Sequence, residues 1–142
     1  MTDNKVIVDE NGTESVIVNR GDGLGISEIK KLNIEQLIIS TETNLVVSSR
    51  AKKLKIPCLQ GIKNKKKSLL DYCKKNNFDL KNVAFVGNDI NDKEVMKVVG
   101  LPICPKDSHE NLLSFSKIIL NSSGGQGVVR EIFDMLIKEI RE

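Results

Sequence analysis

The feature that most constrains this chain is its alternation of short, β-branched apolar runs with segments of helical periodicity. After an opening pair of runs at Lys5 to Val8 and Ser15 to Val18, apolar runs recur at Gln36 to Ser40, around Cys58, at Val83 to Val86, at Leu101 to Cys104 and at Ile118 to Leu120. Helical spacing is read over Ile26 to Leu32, about Asn44 to Leu54, Lys65 to Asn76, Asp92 to Val99, Glu110 to Ser114 and Val128 to about Ile140. Strands that alternate with helices form a parallel sheet covered on both faces, because each crossover helix has to pack back onto the sheet. The first two runs flank Asp9-Glu10-Asn11-Gly12, whose Asn-Gly pair signals a hairpin turn. The predicted architecture is thus an α/β fold with one parallel sheet and an N-terminal hairpin. At 142 residues it is read as a single domain over 1–142: hairpin 5–18, core 22–122, and a glycine-rich tail with a closing helix over 123–142.

Composition removes several function classes. Tyr72 is the only tyrosine and there is no tryptophan, so the aromatic platforms that stack single-stranded nucleic acid are scarce and no nucleic-acid partner is expected. The net charge of +3 arises from local lysine excess at Lys63 to Lys67 and Lys74-Lys75, which reads as a solvated helix face. Cys58, Cys73 and Cys104 are odd in number and form no C-x-x-C pair, which fits buried free thiols in a reducing compartment better than a disulfide framework or a zinc site. The first residues contain no apolar core of a signal peptide, and no run approaches a membrane span, so the expected location is the cytoplasm.

In an open parallel sheet, ligands bind beyond the carboxyl ends of the strands. The residues found there are Ser40-Thr41-Glu42, Gln60-Gly61, the loop Gly87 to Asp92 and Pro105-Lys106-Asp107. Asn88, Asp89 and Asp92 offer oxygen-only ligands, which suit Mg²⁺, although the same residues also serve as helix caps and turn formers. The hydroxyl of Ser40, with Thr41 beside it, can hold a phosphate oxygen or cap the next helix. Lys65 opens a helix where its ammonium can offset phosphate charge, and three further lysines surround it. Ser123-Gly124-Gly125-Gln126-Gly127 leads into the helix that carries Arg130; such a segment either brings backbone N–H groups to an anion or is only a loop. His109 sits in a polar loop with no nucleophile nearby and reads as solvated.

Taken in order, QLIISTETN, QGIKNK, NVAFVGNDIND, VGLPICPKDSH and SSGGQGVVREI, together with NRGDGLGI near the start, resemble the haloacid dehalogenase superfamily. The resemblance is to its capless branch of sugar-acid phosphatases, which includes the 3-deoxy-D-manno-octulosonate 8-phosphate and acylneuraminate 9-phosphate enzymes and the domain fused to acylneuraminate cytidylyltransferases. It implies a three-layer Rossmann-like fold, a Mg²⁺-dependent phosphatase of lipopolysaccharide or sialic acid biosynthesis, a phosphorylated sugar acid as substrate and a homotetramer assembled through the hairpin. By the same resemblance Ser40 binds the transferring phosphoryl group, Lys65 is the catalytic lysine, Asn88 stands where the metal-binding aspartate usually does, and Asp92 is the supporting acid. The tail residues Gly124, Gly125 and Arg130 approach a neighbour's substrate, and Arg20 and Asp22 border the site.

Two departures accompany the resemblance. The family's first strand ends in a D-x-D-G motif that supplies nucleophile and general acid; Met1 to Asn4 aligns only with the tail of that motif, so the strand and both carboxylates are expected to be missing. Without the nucleophile no aspartyl-phosphate forms, and the chain as given is expected to be inactive. Loss of a strand from the middle of the sheet would also leave two facing edges unpaired. A shortened version of a longer protein accounts for this, and Asn88 independently weakens the metal site. The alternative is a non-catalytic oligomerisation module of an acylneuraminate cytidylyltransferase.

Overall fold

The computed structural model describes residues 2–141. The opening hairpin pairs β1 (Ile7–Val8) with β2 (Glu14–Ser15), antiparallel, Ile7 opposite Ser15 and Val8 opposite Glu14. It is shorter than the predicted 5–18, since Val16 to Val18 run on unpaired. Its turn is organised by the carboxylate of Asp9, which accepts the N–H groups of Asn11 (2.9 Å) and Thr13 (2.8 Å). Asn44 ties the hairpin to the body through Glu14 at 2.8 Å.

The first helix, α1 (Arg20–Lys31), begins six residues before its predicted start and runs through the glycines. Asn19 caps it by accepting the N–H of Gly21, and Asp22 places a negative charge in the first turn, where the helix dipole favours one. Glycines lower helix propensity, yet tertiary packing needs one here. A Cβ at Gly25 would stand 2.9 Å from the carbonyl oxygen of Val129, so only glycine permits α1 to cross the last helix this closely.

Then follow β3 (Ile38–Ile39), α2 (Leu45–Leu54), β4 (Cys58–Leu59) and α3 (Lys65–Asn76). Asn44 and Asn64 cap the two helices, and Lys55 and Asn77 end them in left-handed conformations, with φ of 56° and 58°. Next come β5 (Ala84–Val86), a 3₁₀ turn at Ile90–Asp92, α4 (Lys93–Met96), β6 (Leu101–Cys104), α5 (Glu110–Leu113), β7 (Ile118–Ile119) and α6 (Val128–Arg141). The segment read as one helix over Asp92 to Val99 is this 3₁₀ turn plus the single turn of α4, because Asp92 turns inward to cap its own loop.

All strand pairs beyond the hairpin are parallel, as the alternation requires, but they form two sheets. β3 pairs with β4, Ile38 beside Cys58, and β5, β6 and β7 form the order β5-β6-β7. No ladder joins β3 to β5, although Ile39 of β3 and Val83 and Phe85 at β5 pack on one cluster of Leu69, Cys73, Val95 and Val99. A second cluster, Met96, Cys104 and Leu112, lies under Phe85, and a third, Ile103, Leu120 and Val128, lies beneath α6. Cys73 and Cys104 are buried and Cys58 half-buried, all free; burial pushes the Cys58 and Cys73 thiols up from their ordinary range and leaves them less reactive. No helix among the described residues is long and apolar enough to cross a membrane.

Candidate active site

The carboxyl ends of β3 and β5 and the start of α3 converge on one polar group. Lys65, first residue of α3, extends its Nζ to Oδ1 of Asp92 at 2.5 Å. The two side chains retain only 10% and 5% exposure. A lysine in the first turn stands at the wrong end of the helix dipole, so its placement costs a few tenths of a kcal/mol, which the Asp92 carboxylate offsets. The other oxygen of Asp92 accepts the backbone N–H groups of Asn88 (3.0 Å) and Asp89 (3.4 Å). One buried carboxylate therefore fixes both the lysine and the loop after β5.

Gly87 makes this possible. A Cβ there would stand 2.6 Å from Cβ of Asp92, so the carboxylate folds under its loop only because position 87 is bare. Asp89 caps the 3₁₀ turn through Ile90 N–H at 2.7 Å and remains exposed, and the carbonyl oxygen of Asn88 accepts the N–H of His109 at 3.0 Å. His109 is half-buried and caps α5, its Nδ1 accepting Asn111 N–H at 3.2 Å; the loop reading as solvated missed that role.

Ser40 continues the β3 ladder by donating its N–H to Leu59, and its Oγ accepts the N–H of Glu42 at 3.1 Å. Thr41 lies across from the β5 loop, its Oγ1 accepting from Nδ2 of Asn91 at 3.5 Å. Ser40, Thr41, Lys65, Asn88, Asp89 and Asp92 thus share one end of the two sheets, and Asn91 of the same loop spans the seam between them. For a divalent cation, Asp92 is already spent on Lys65 and on loop amides. Asn88 and Asp89 are the other oxygen-bearing side chains of the loop, Asp89 with its Oδ1 on the Ile90 N–H, and no group of three or more His, Cys, Asp or Glu suited to a metal exists among the described residues. An oxygen-only pair fits magnesium, which accepts one or two carboxylates and fills its octahedron with water and substrate oxygens.

The tail forms a second group, held by three carboxylates. Asp107 accepts Gly124 N–H at 2.8 Å, Glu131 accepts the N–H groups of Asn121 (2.8 Å) and Ser122 (2.7 Å), and Asp22 accepts those of Val129 (2.8 Å) and Arg130 (3.3 Å). Asp22 is 1% exposed and reaches across 107 residues of sequence to cap α6; nothing local announces the pairing. Burial pushes the Glu131 carboxyl up, but its bonds to Ser122 and Asn121 outweigh this and hold it below the usual carboxylate range. Thr2 and Asp3 cross directly over Gly124 and Gly125, where a Cβ at 125 would be 2.8 Å from Asp3 N. The guanidinium of Arg130 lies on α6 itself, its Nε 3.0 Å from Asp134 and its Cζ 5.8 Å from the centre of the Phe133 ring. No hydrogen bond or ion pair among the described residues joins Gly124, Gly125 or Arg130 to the Lys65–Asp92 group.

A family model described as haloacid dehalogenase-like hydrolase matches residues 10–132. The 3-deoxy-D-manno-octulosonate 8-phosphate phosphatase of Salmonella typhi is 35% identical over 138 residues, covering 96% of this chain and 73% of that protein. Among solved structures, a HAD family hydrolase from Streptomyces avermitilis superposes with a TM-score of 0.91 at 41% identity, covering 94% of this chain and 82% of that one. The 3-deoxy-D-manno-octulosonate 8-phosphate phosphatase of Moraxella catarrhalis, solved with magnesium, phosphate and KDO, superposes at 0.92 with 30% identity over 96% of this chain and 79% of that one. With the buried lysine–aspartate pair at the strand ends and a match over most of its length, the chain belongs to the haloacid dehalogenase-like hydrolases.

Proposed function

We propose that this chain is the phosphate-binding body of a magnesium-dependent phosphomonoesterase for a phosphorylated eight-carbon sugar acid of the 3-deoxy-D-manno-octulosonate 8-phosphate kind. The nine-carbon acylneuraminate 9-phosphates are the neighbouring substrate class. The observation that carries the reading is the buried Lys65–Asp92 pair beneath the ends of β3 and β5, together with the substrate named for the similar enzymes. In this reading the Ser40 hydroxyl and the Thr41 side chain bind phosphoryl oxygens, Lys65 offsets their charge, and Asp92 positions Lys65. Asn88 and Asp89 hold the metal, which when bound neutralises charge developing on the phosphoryl group. Gly124, Gly125 and Arg130 contact the sugar acid of an adjoining protomer. The exposed Val6, Ile7, Val8 and Ile17 of the hairpin segment form the contact of a homotetramer working in the cytoplasm.

Turnover in this reading needs a nucleophilic carboxylate beside Ser40 and Lys65, because phosphate monoesters hydrolyse too slowly for charge stabilisation alone to suffice. A second reading, the non-catalytic oligomerisation module of an acylneuraminate cytidylyltransferase, is favoured by one observation: Asn88 is neutral where a metal site gains most from a carboxylate.

The test is phosphate release from 3-deoxy-D-manno-octulosonate 8-phosphate and acylneuraminate 9-phosphate with Mg²⁺. It is run on the chain as given and on a version joined to a strand ending in D-x-D-G. We expect turnover only in the second, abolished by Lys65→Ala and retained in His109→Ala. Inactivity of the joined version on every such substrate would sink the phosphatase reading and leave the module.

A further inference from the structure

The end of the domain opposite the candidate active site is a basic face with one exposed aromatic ring. Crossover helices run against the strands of a parallel sheet, so their carboxyl termini gather at the amino ends of the strands, where lysine also suits the helix dipole. There α3 finishes with Lys74 and Lys75, and Asn77 turns the chain in a left-handed conformation, so that Phe78 donates its N–H back to Cys73 at 2.9 Å. The Phe78 ring stacks on Tyr72 with centres 6.4 Å apart, yet the residue stays 40% exposed. Lys81 lies in the 3₁₀ turn Leu80–Asn82 that leads into β5. Gly100 packs against that turn, donating its N–H to Leu80 at 2.7 Å, and its carbonyl oxygen accepts Nζ of Lys117, just before β7, at 2.6 Å. Four lysines from three segments thus meet Phe78 at one edge. All four are exposed, and none takes part in an ion pair among the described residues. Asp79, the acid in their midst, turns its carboxylate onto the N–H of Lys81 at 2.9 Å. The same edge continues below β3 and β4, where Lys30 reaches the carbonyl oxygen of Lys55 at 3.4 Å.

From these observations we infer that this face docks on an anionic lipid bilayer, the four lysines among the headgroups and the Phe78 ring at the acyl boundary. Lysine is a hydrated point charge on a flexible stem, which meets mobile headgroups without a fixed partner geometry, and each one near such a surface strengthens binding about fivefold. The exposed ring adds the apolar signal that surface charge needs for stable attachment. The cluster holds no arginine, whose planar fork reads nucleic acids, and Phe78 is already stacked on Tyr72, which leaves no row of ring faces for successive bases. Protein interfaces are poor in lysine, so an acidic protein matches the cluster less well than lipid does. Docked this way, the domain points the strand carboxyl ends and the Lys65–Asp92 group away from the bilayer, open to dissolved substrate. The inference rests on the charge distribution and holds whether or not the phosphatase reading does.

The test is co-sedimentation of the chain as given, at about 0.05 M salt, with phosphatidylcholine vesicles and with vesicles containing about one third phosphatidylglycerol. We expect binding to the anionic vesicles only, lost at about 0.5 M salt. Lys75→Gln combined with Lys81→Gln should weaken it about thirtyfold, and Phe78→Ala about fivefold, each variant keeping the parent's circular dichroism. The charge-matched pair Lys63→Gln with Lys67→Gln lies at the start of α3, whose 12 residues span about 18 Å. It should stay within about twofold of the parent, because that span exceeds the screening length. No binding to anionic vesicles, equal binding to neutral ones, full binding by Phe78→Ala, or equal weakening by the two lysine pairs overturns the proposal. So does capture of a mixed-sequence RNA oligonucleotide, lost in the Lys75→Gln, Lys81→Gln variant and unaccompanied by vesicle binding, which would make the partner a nucleic acid.

Discussion

The two halves of the sheet are built from similar residues and end in different states. In the β5-β6-β7 half, the strand with a partner on each side is β6, where Pro102, Ile103 and Cys104 are all buried. In the β3-β4 half every strand residue is only half-buried, and β5, whose outer edge faces that half, exposes Ala84 and Val86. Ile and Val are as apolar in one place as in the other, so the difference comes from neighbours and not from composition. Pairing on both edges is what excludes water, and the candidate active site lies at the end of the seam where pairing stops.

The comparison breaks most visibly under truncation of matched residues. Ile103→Ala should cost about 4 kcal/mol of stability and Ile39→Ala about 1 kcal/mol, read by urea denaturation, because only the first leaves a closed cavity. Equal losses would mean that the seam is as well packed as β6. Next in size is the lysine that straddles the seam's end. Lys65→Ala leaves the Asp92 carboxylate buried without its cation and should lower stability by about 3 kcal/mol, with Asp92→Asn in the Lys65→Ala background recovering part of it. If the single variant is as stable as the parent, the pair does not organise the site.

Away from the seam, Asp22→Ala uncaps α6 and orphans two backbone N–H groups. A loss of about 2 kcal/mol is expected, visible as a lower Tm with the Lys65–Asp92 region unchanged in its NMR shifts. The smallest effect is a pH dependence. The folded-state pKa of Glu131 is depressed, so its contribution is fully present above the ordinary carboxyl value of 4.5 and is lost as pH falls through the folded value. Amide protection at Asn121 and Ser122 should therefore decline on acidification below that range, and Glu131→Gln should flatten the decline.

Much of this was legible in the amino-acid order. The bounds of α3 and β6 coincide with their predicted ranges, because a capping asparagine and a Pro-bounded apolar run announce them locally. The start of α1 was not legible, since Gly21, Gly23 and Gly25 argue for a loop unless one knows that α6 crosses at Gly25. The strand-end rule placed Ser40, Thr41, Asn88, Asp89 and Asp92 together, whereas Lys65 was marked only as the opening residue of a helix and by the family resemblance. The rule could not show that Asp92 is consumed by Lys65 and two amides. Contacts between residues far apart in sequence, Asp22 with Val129 and Asn91 with Thr41, carry no local periodicity or cap signal, and only the folded chain reveals them.

The central claim is that the site sits at the end of an unpaired seam between two half-sheets. Amide hydrogen exchange of the chain alone tests it most directly. The amides of Ile39, Ala84 and Val86 should exchange about a hundredfold faster than those of Gly87 and Leu120, which donate to Ile103 and Cys104 within the closed half. Uniform protection across all five amides would show that the seam is already paired, and would contradict the account.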